Sequence, residues 1–311
     1  SKADEFIGLA AIWCIKCYRR GMQGKQTMKL FLKSAAVIGV LFIVAIGYLW
    51  ALGARQPSQP IYEYDKVVFL SLKHPDADFV RSSNYLADKA LWRASVEFAF
   101  IGTDDAYWTD YMMLPPDSGV IAELKRSTEF VDVYAAEVAL TKIPPPVIGL
   151  LRAMHQWGIT KRPDGPLPEP TDAMDELENR RDILPTLDAV NDALAAAPNM
   201  QITMMNYLEY IPLENGGKEA GRNSYNRYGL EAMKAVHMVG GQFLFAGRIS
   251  KVLIESEHES KPGKWDDLAA MIYPDPLAIF YMEQSESYKK ALNFRDEGLG
   301  RSIVIATEAY Q

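Results

Sequence analysis

Apolar positions divide the chain into one long uncharged run and two later stretches in which short apolar segments alternate with helical spacing. The run lies between Lys33 and Arg55 and passes through Val37, Leu41, Phe42, Ile43, Ile46 and Trp50. It covers residues 34–54, and a helix of that length reaches about 30 Å, the thickness of a bilayer's hydrocarbon core. A cleavable signal has a shorter apolar stretch, of roughly 7 to 15 residues. Although Ala51-Leu52-Gly53 is a passable cleavage sequence, an uncleaved signal anchor is the better reading.

Beyond a proline-bearing linker (55–63), the first stretch predicts a buried strand at 66–72 and a helix over 76–91. A partly alternating strand follows at 95–101, and a turn-like Gly102-Thr103-Asp104-Asp105 leads to a strand at 108–114. A helix over 118–134 and a strand at 137–143 complete it. The order is βαββαβ. Residues 144–199 change character. Pro144-Pro145-Pro146 precedes a short apolar helix at 147–157, prolines mark an extended connector, and 172–197 reads as helical with a break at Pro185. The second stretch predicts a strand at 201–208 and a helix at 223–239 stopped by Gly240-Gly241. Strands at 242–252 and 265–273, a helix at 276–292 and a strand at 301–306 come next. Again the order is βαββαβ.

A repeat is therefore tested by offset. At a shift of 158, Pro116-Asp117 falls on Pro274-Asp275, Leu124 on Met282, Ser127 on Ser285 and Phe130 on Tyr288; with one residue of slippage, Trp108-Thr109-Asp110 falls on Trp265-Asp266-Asp267. The expectation is two diverged copies of one ferredoxin-like unit, 64–143 and 200–311, joined by the connector 144–199.

Charge sharpens the topology. The net charge is −7. Residues 1–33 hold Lys2, Lys16, Arg19, Arg20, Lys25, Lys29 and Lys33 against Asp4 and Glu5, so they carry +5 and the remainder −12. The positive-inside bias predicts a cytoplasmic N-terminus on a single-pass protein of a bacterial inner membrane, with the body periplasmic. An acidic body without a basic face argues against nucleic acid. Met28-Lys29-Leu30 reads like a natural start placed after extra sequence, which leaves the place of residues 1–27 in the mature protein open. Cysteine occurs only at Cys14 and Cys17. Trp13-Cys14-Ile15-Lys16-Cys17 resembles a thioredoxin-type motif, but that chemistry needs a βαβ unit to deliver it to a helix N-terminus, and none is possible there.

Asn206 at a strand end, Tyr225-Asn226-Arg227-Tyr228 on a helix, Gly240-Gly241, Ala246-Gly247-Arg248, Trp265-Asp266, Tyr273-Pro274, Phe280-Tyr281-Met282, Tyr288 and Arg295 together resemble the pattern of the domain of unknown function 1330 family. The resemblance covers about 200–307. It implies the dimeric α/β-barrel superfamily, whose members usually carry one copy and dimerise; here the N-terminal half would supply the second sheet. The fold class expected is α+β: a transmembrane helix followed by tandem ferredoxin-like units forming a barrel-like pseudo-dimer within one chain.

The chemistry is sparse. His74, His155, His237 and His258 show no metal-ligand spacing, so neither a metal nor a cofactor is expected. Tyr225, Tyr228, Trp265, Tyr273 and Tyr288 with Arg248 and Arg295 suit one pocket, aromatic faces holding a planar ligand and a guanidinium its carboxylate. Asn206 is the polar residue beside it. No Ser-His-Asp order, phosphate loop or paired catalytic carboxylate stands out. Three functions remain open: a binding or accessory subunit of a membrane complex, a small-molecule enzyme of monooxygenase or isomerase type, and a haem-handling protein. The partners expected are the lipid bilayer and other membrane-complex subunits.

Overall fold

The computed structural model describes residues 25–55, 57, 59–75, 86–102, 107–167, 183, 185–195, 200–214, 216–256 and 265–310. The cysteines, His258, the turn at 103–105 and most of the helices expected at 76–91 and 172–197 lie outside them. Helix α1 (Lys25–Ala54) contains the candidate span Lys33–Gly53, which is long and apolar enough to cross a membrane. A one-turn helix α2 (Gln59–Tyr62) leads into the body.

Among the described residues the body contains eight strands: β1 (Lys66–Lys73), β2 (Trp92–Ile101), β3 (Asp110–Leu114), β4 (Asp132–Leu140), β5 (Ile202–Tyr210), β6 (Gln242–Ile254), β7 (Asp267–Tyr273) and β8 (Leu299–Ala309). They close into one barrel in the order β1-β3-β2-β8-β5-β7-β6-β4. Every pairing is antiparallel. Two seams join the halves, β2 to β8 and β4 to β6.

The barrel is filled. Phe69, Tyr111 and Tyr134 from the first half pack with Met205, Tyr207, Phe245 and Trp265 from the second. A hydrogen bond of 2.7 Å between Ser71 Oγ and Tyr207 Oη ties the halves across this interior. The outer face of the second half is covered by helices α6 (Gly217–Met238), α7 (Leu277–Glu283) and α8 (Glu286–Gly298). The covering explains why β5 reads as an apolar block. Met205 and Tyr207 point into the barrel while Ile202 and Met204 meet the helices, so both faces are buried.

Helix α3 (Val120–Leu124) is far shorter than the helix expected at 118–134. The Ser127 hydroxyl accepts the Glu129 N–H at 3.2 Å, a local turn that competes with helix, and the chain enters β4 at Asp132. The strand expected at 137–143 accordingly starts five residues earlier. The helix expected at 276–292 is broken: Ser285 ends one segment and caps the next, accepting the Tyr288 N–H at 3.3 Å. Between the halves lie α4 (Pro145–Gln156) and α5 (Leu187–Ala195).

Candidate functional site

Aromatic and apolar side chains from both halves pack the barrel interior, and the candidate cavity lies outside it, between the second-half sheet and α6–α8. Two glycines set how closely α6 approaches α8. Gly221 on α6 and Gly298 at the end of α8 are so close that a Cβ on either would overlap the other's carbonyl oxygen or lie against it. This contact draws Tyr225 and Tyr228 of α6 against Tyr288 and Arg295 of α8. Their hydroxyls meet where Tyr228 and Tyr288 share a 2.7 Å hydrogen bond. Tyr210, Tyr225, Tyr228 and Tyr288 form a continuous row with successive centroids 5.6, 5.2 and 5.6 Å apart.

The cavity has a volume of about 60 Å³ and is lined by Asn206, Tyr225, Tyr228, Tyr273, Tyr288, Glu283 and Arg295 together with apolar residues such as Phe100, Met204 and Val304. Phe100 comes from β2, so the first half contributes to its wall. The amide nitrogen of Asn206 donates to the carbonyls of Met204 at 2.9 Å and Ala269 at 3.3 Å, which orients the side chain on β5.

Arg295 is 7% exposed and lines this cavity together with Glu283. Burial opposes its charge, but the oxygens of Tyr228, Tyr288, Tyr225 and Glu283 outweigh that and hold its pKa above the ordinary arginine value. Burial pushes the Glu283 carboxyl up to about 7, against the opposing attraction of Arg295. A permanent cation and a carboxyl that exchanges its proton near neutrality therefore share one small cavity. Burial also raises the tyrosine hydroxyls, which stay protonated as hydrogen-bond donors.

Asn206, Tyr225, Tyr228, Tyr273, Tyr288 and Arg295 are thus brought together, whereas Trp265 and Arg248 are not part of this cavity. Trp265 packs in the barrel interior, 5.8 Å from Tyr207, beneath the Arg301 guanidinium. Arg248 is half exposed and pairs with Glu219 at 3.0 Å on the rim. There it joins a network in which Arg222 binds Asp267 at 2.8 Å and Asp267 accepts from the Tyr210 hydroxyl at 3.0 Å. Burial raises the Asp267 pKa even so. Sequence reasoning missed Glu283. A glutamate inside the helical spacing 276–292 looks like a solvated position, yet it lies one turn after Ile279 on α7, and both residues line the cavity.

The histidines have other surroundings. His74 packs edge-on against Phe130 at 6.0 Å, and its backbone N–H donates to Thr109 Oγ1. His237 is buried where α6 meets α4, its Nδ1 2.8 Å from the Met233 carbonyl. Among the described residues no group of three or more His, Cys, Asp or Glu is placed to hold a metal.

No protein-family profile and no curated protein matches the chain. Solved structures similar to it include a protein of unknown function from Rhodopseudomonas palustris, at 22% identity and a TM-score of 0.36, covering 42% of this chain and 97% of that one. A "Putative monooxygenase" from Fusobacterium nucleatum has 8% identity and a TM-score of 0.37, covering 79% and 92%. Another so described, from Lactobacillus acidophilus, has 7% identity and a TM-score of 0.35, covering 78% and 93%. At these values nothing of the neighbours' chemistry is carried to this chain.

Proposed function

We propose that this chain is a single-pass membrane protein whose body, a pseudo-dimer of two ferredoxin-like units of the unknown-function 1330 type, binds a small carboxylate in the cavity beneath Arg295 as a subunit of a membrane complex. The matching strand orders support the pseudo-dimer: β4-β1-β3-β2 in the first half and β8-β5-β7-β6 in the second place equivalent strands in equivalent positions. The charge asymmetry supports a cytoplasmic N-terminus and a periplasmic body.

The observation that carries the binding reading is the buried guanidinium of Arg295 on the wall of the cavity, a fixed cation beside a space that the oxygens of an anion can enter. Size selects the class. A cavity of about 60 Å³ is less than half of the ~150 Å³ that takes a benzene. It suits a carboxylate between acetate and pyruvate in size.

The test is calorimetric titration of the full-length protein in mild detergent with pyruvate. Arg295→Leu, which keeps the packing volume and removes the charge, is expected to weaken binding at least tenfold. Unchanged affinity with a lowered melting temperature would make Arg295 a structural residue.

Glu283 favours one second reading, an enzyme of isomerase type, because a carboxyl titrating near neutrality beside a guanidinium suits proton transfer next to a carboxylate. Exchange of the pyruvate methyl protons with deuterated water above the buffer rate, lost in Glu283→Gln, would select it. Binding without exchange selects the accessory role.

A further inference from the structure

Helix α4 is amphipathic in an unusual sense. Its buried side carries Ile148, Gly149 and Ala153, while Val147 (42% exposed), Leu150 (46%) and, just past its end, Trp157 (60%) and Ile159 (64%) stand outward. In water such a stripe is a liability.

The neighbouring helix identifies the cover. Helix α4 runs along the body-side end of α1 at backbone contact: a Cβ on Gly149 would overlap the carbonyl of Leu49, and a Cβ on Gly53 that of Pro145. Leu49 lies inside the candidate span, four residues or about 6 Å from its end. The middle of α4 is therefore held beside the last turn of the span. Arg152 fixes the pair. Its Nη1 donates to the carbonyls of Leu52 at 3.0 Å and Arg55 at 2.8 Å, which the end of α1 leaves without helical partners. A cation so occupied is tolerable near lipid. Tyr48 and Trp157 stack with centroids 6.2 Å apart, so aromatic residues from two helices lie at one level, as at a membrane–water boundary.

We infer that α4 is an interfacial helix. Val147, Leu150 and Trp157 lie in the lipid of the body-side leaflet, and the occupant of the stripe is the phospholipid surface into which α1 inserts. This rests on the reading of α1 as a membrane span and adds a second attachment that fixes the tilt of the barrel. One helix alone is a swivel. Two helices locked by glycine contacts and an arginine clamp are a bracket.

The test uses the full chain with Cys14→Ser and Cys17→Ser, reconstituted in phosphatidylcholine–phosphatidylglycerol vesicles. Nitroxides are attached singly through Val147→Cys, Leu150→Cys, Phe42→Cys in the middle of the span and Lys234→Cys on the solvent side of α6. Accessibility to oxygen and to a water-soluble nickel complex gives the depth of each. Labels at 147 and 150 are expected about 5–10 Å into the headgroup and acyl boundary, with 42 deeper and 234 in water. Labels at 147 and 150 in water while 42 stays in lipid would overturn the inference and leave the span standing. Labels shielded from both reagents would overturn it in favour of a protein partner or a second copy. A water-exposed label at 42 would remove the span and the inference together.

Discussion

Two tyrosines of the barrel interior differ by one hydrogen bond. Tyr207 shares its hydroxyl with Ser71, whereas the buried Tyr134 hydroxyl has no partner among the described residues. A buried unbonded hydroxyl costs about 1–3 kcal/mol, so Tyr134→Phe is expected to raise stability by about 1 kcal/mol. Tyr207→Phe, which orphans Ser71, is expected to lower it by a similar amount. Chemical denaturation of the two variants checks the pair, and equal signs would mean that the interior is set by shape alone. Glu283 gives a pH dependence. Its folded pKa of about 7 stands above the unfolded 4.5, so the group is neutral in both states below pH 4.5 and costs nothing there. Stability then falls as pH rises from 4.5 through 7, because the folded state resists ionising. Glu283→Gln is expected to remove this loss, on the order of 3 kcal/mol at pH 8 and close to nothing at pH 4. Melting temperatures at both pH values test it.

At the scale of elements, Ser285 separates α7 from α8 and caps the latter. Ser285→Ala is expected to cost about 1 kcal/mol. It should also weaken pyruvate binding, since Glu283 and Tyr288 lie on opposite sides of the break; destabilisation without weaker binding would show that the break does not shape the cavity. The same position explains how much was legible in the sequence. The pairing of Ser127 with Ser285 and of Leu124 with Met282 is visible by offset, and both leucine and methionine are buried at the ends of short helices after equivalent strands. The path of the chain beyond each serine was not legible. Helical spacing continues through both, but at Ser127 the side chain bonds two residues on and a strand begins, whereas Ser285 caps a helix of 13 residues. The site was legible through residue type for Tyr225, Tyr228, Tyr273 and Arg295. Arg248 was misplaced because strand position does not reveal which rim carboxylate is nearest; its partner is Glu219.

At the scale of the molecule, the interior core draws Phe69 and Tyr134 from one half and Tyr207 and Phe245 from the other, and two seams close the barrel. The halves are expected to unfold together. Far-ultraviolet circular dichroism and tryptophan fluorescence should give coincident barrel transitions, and two separated steps would count against a shared core. Past Ser127 the first half runs straight into β4 and builds no counterpart of α8. An assembly of two identical protomers is obliged to duplicate every cleft and to suffer every substitution twice. A chain that holds both halves escapes this symmetry, so one half can keep the tyrosine and arginine cleft while its counterpart drops the helix that would build a second. The stoichiometry expected is one carboxylate per polypeptide, not two.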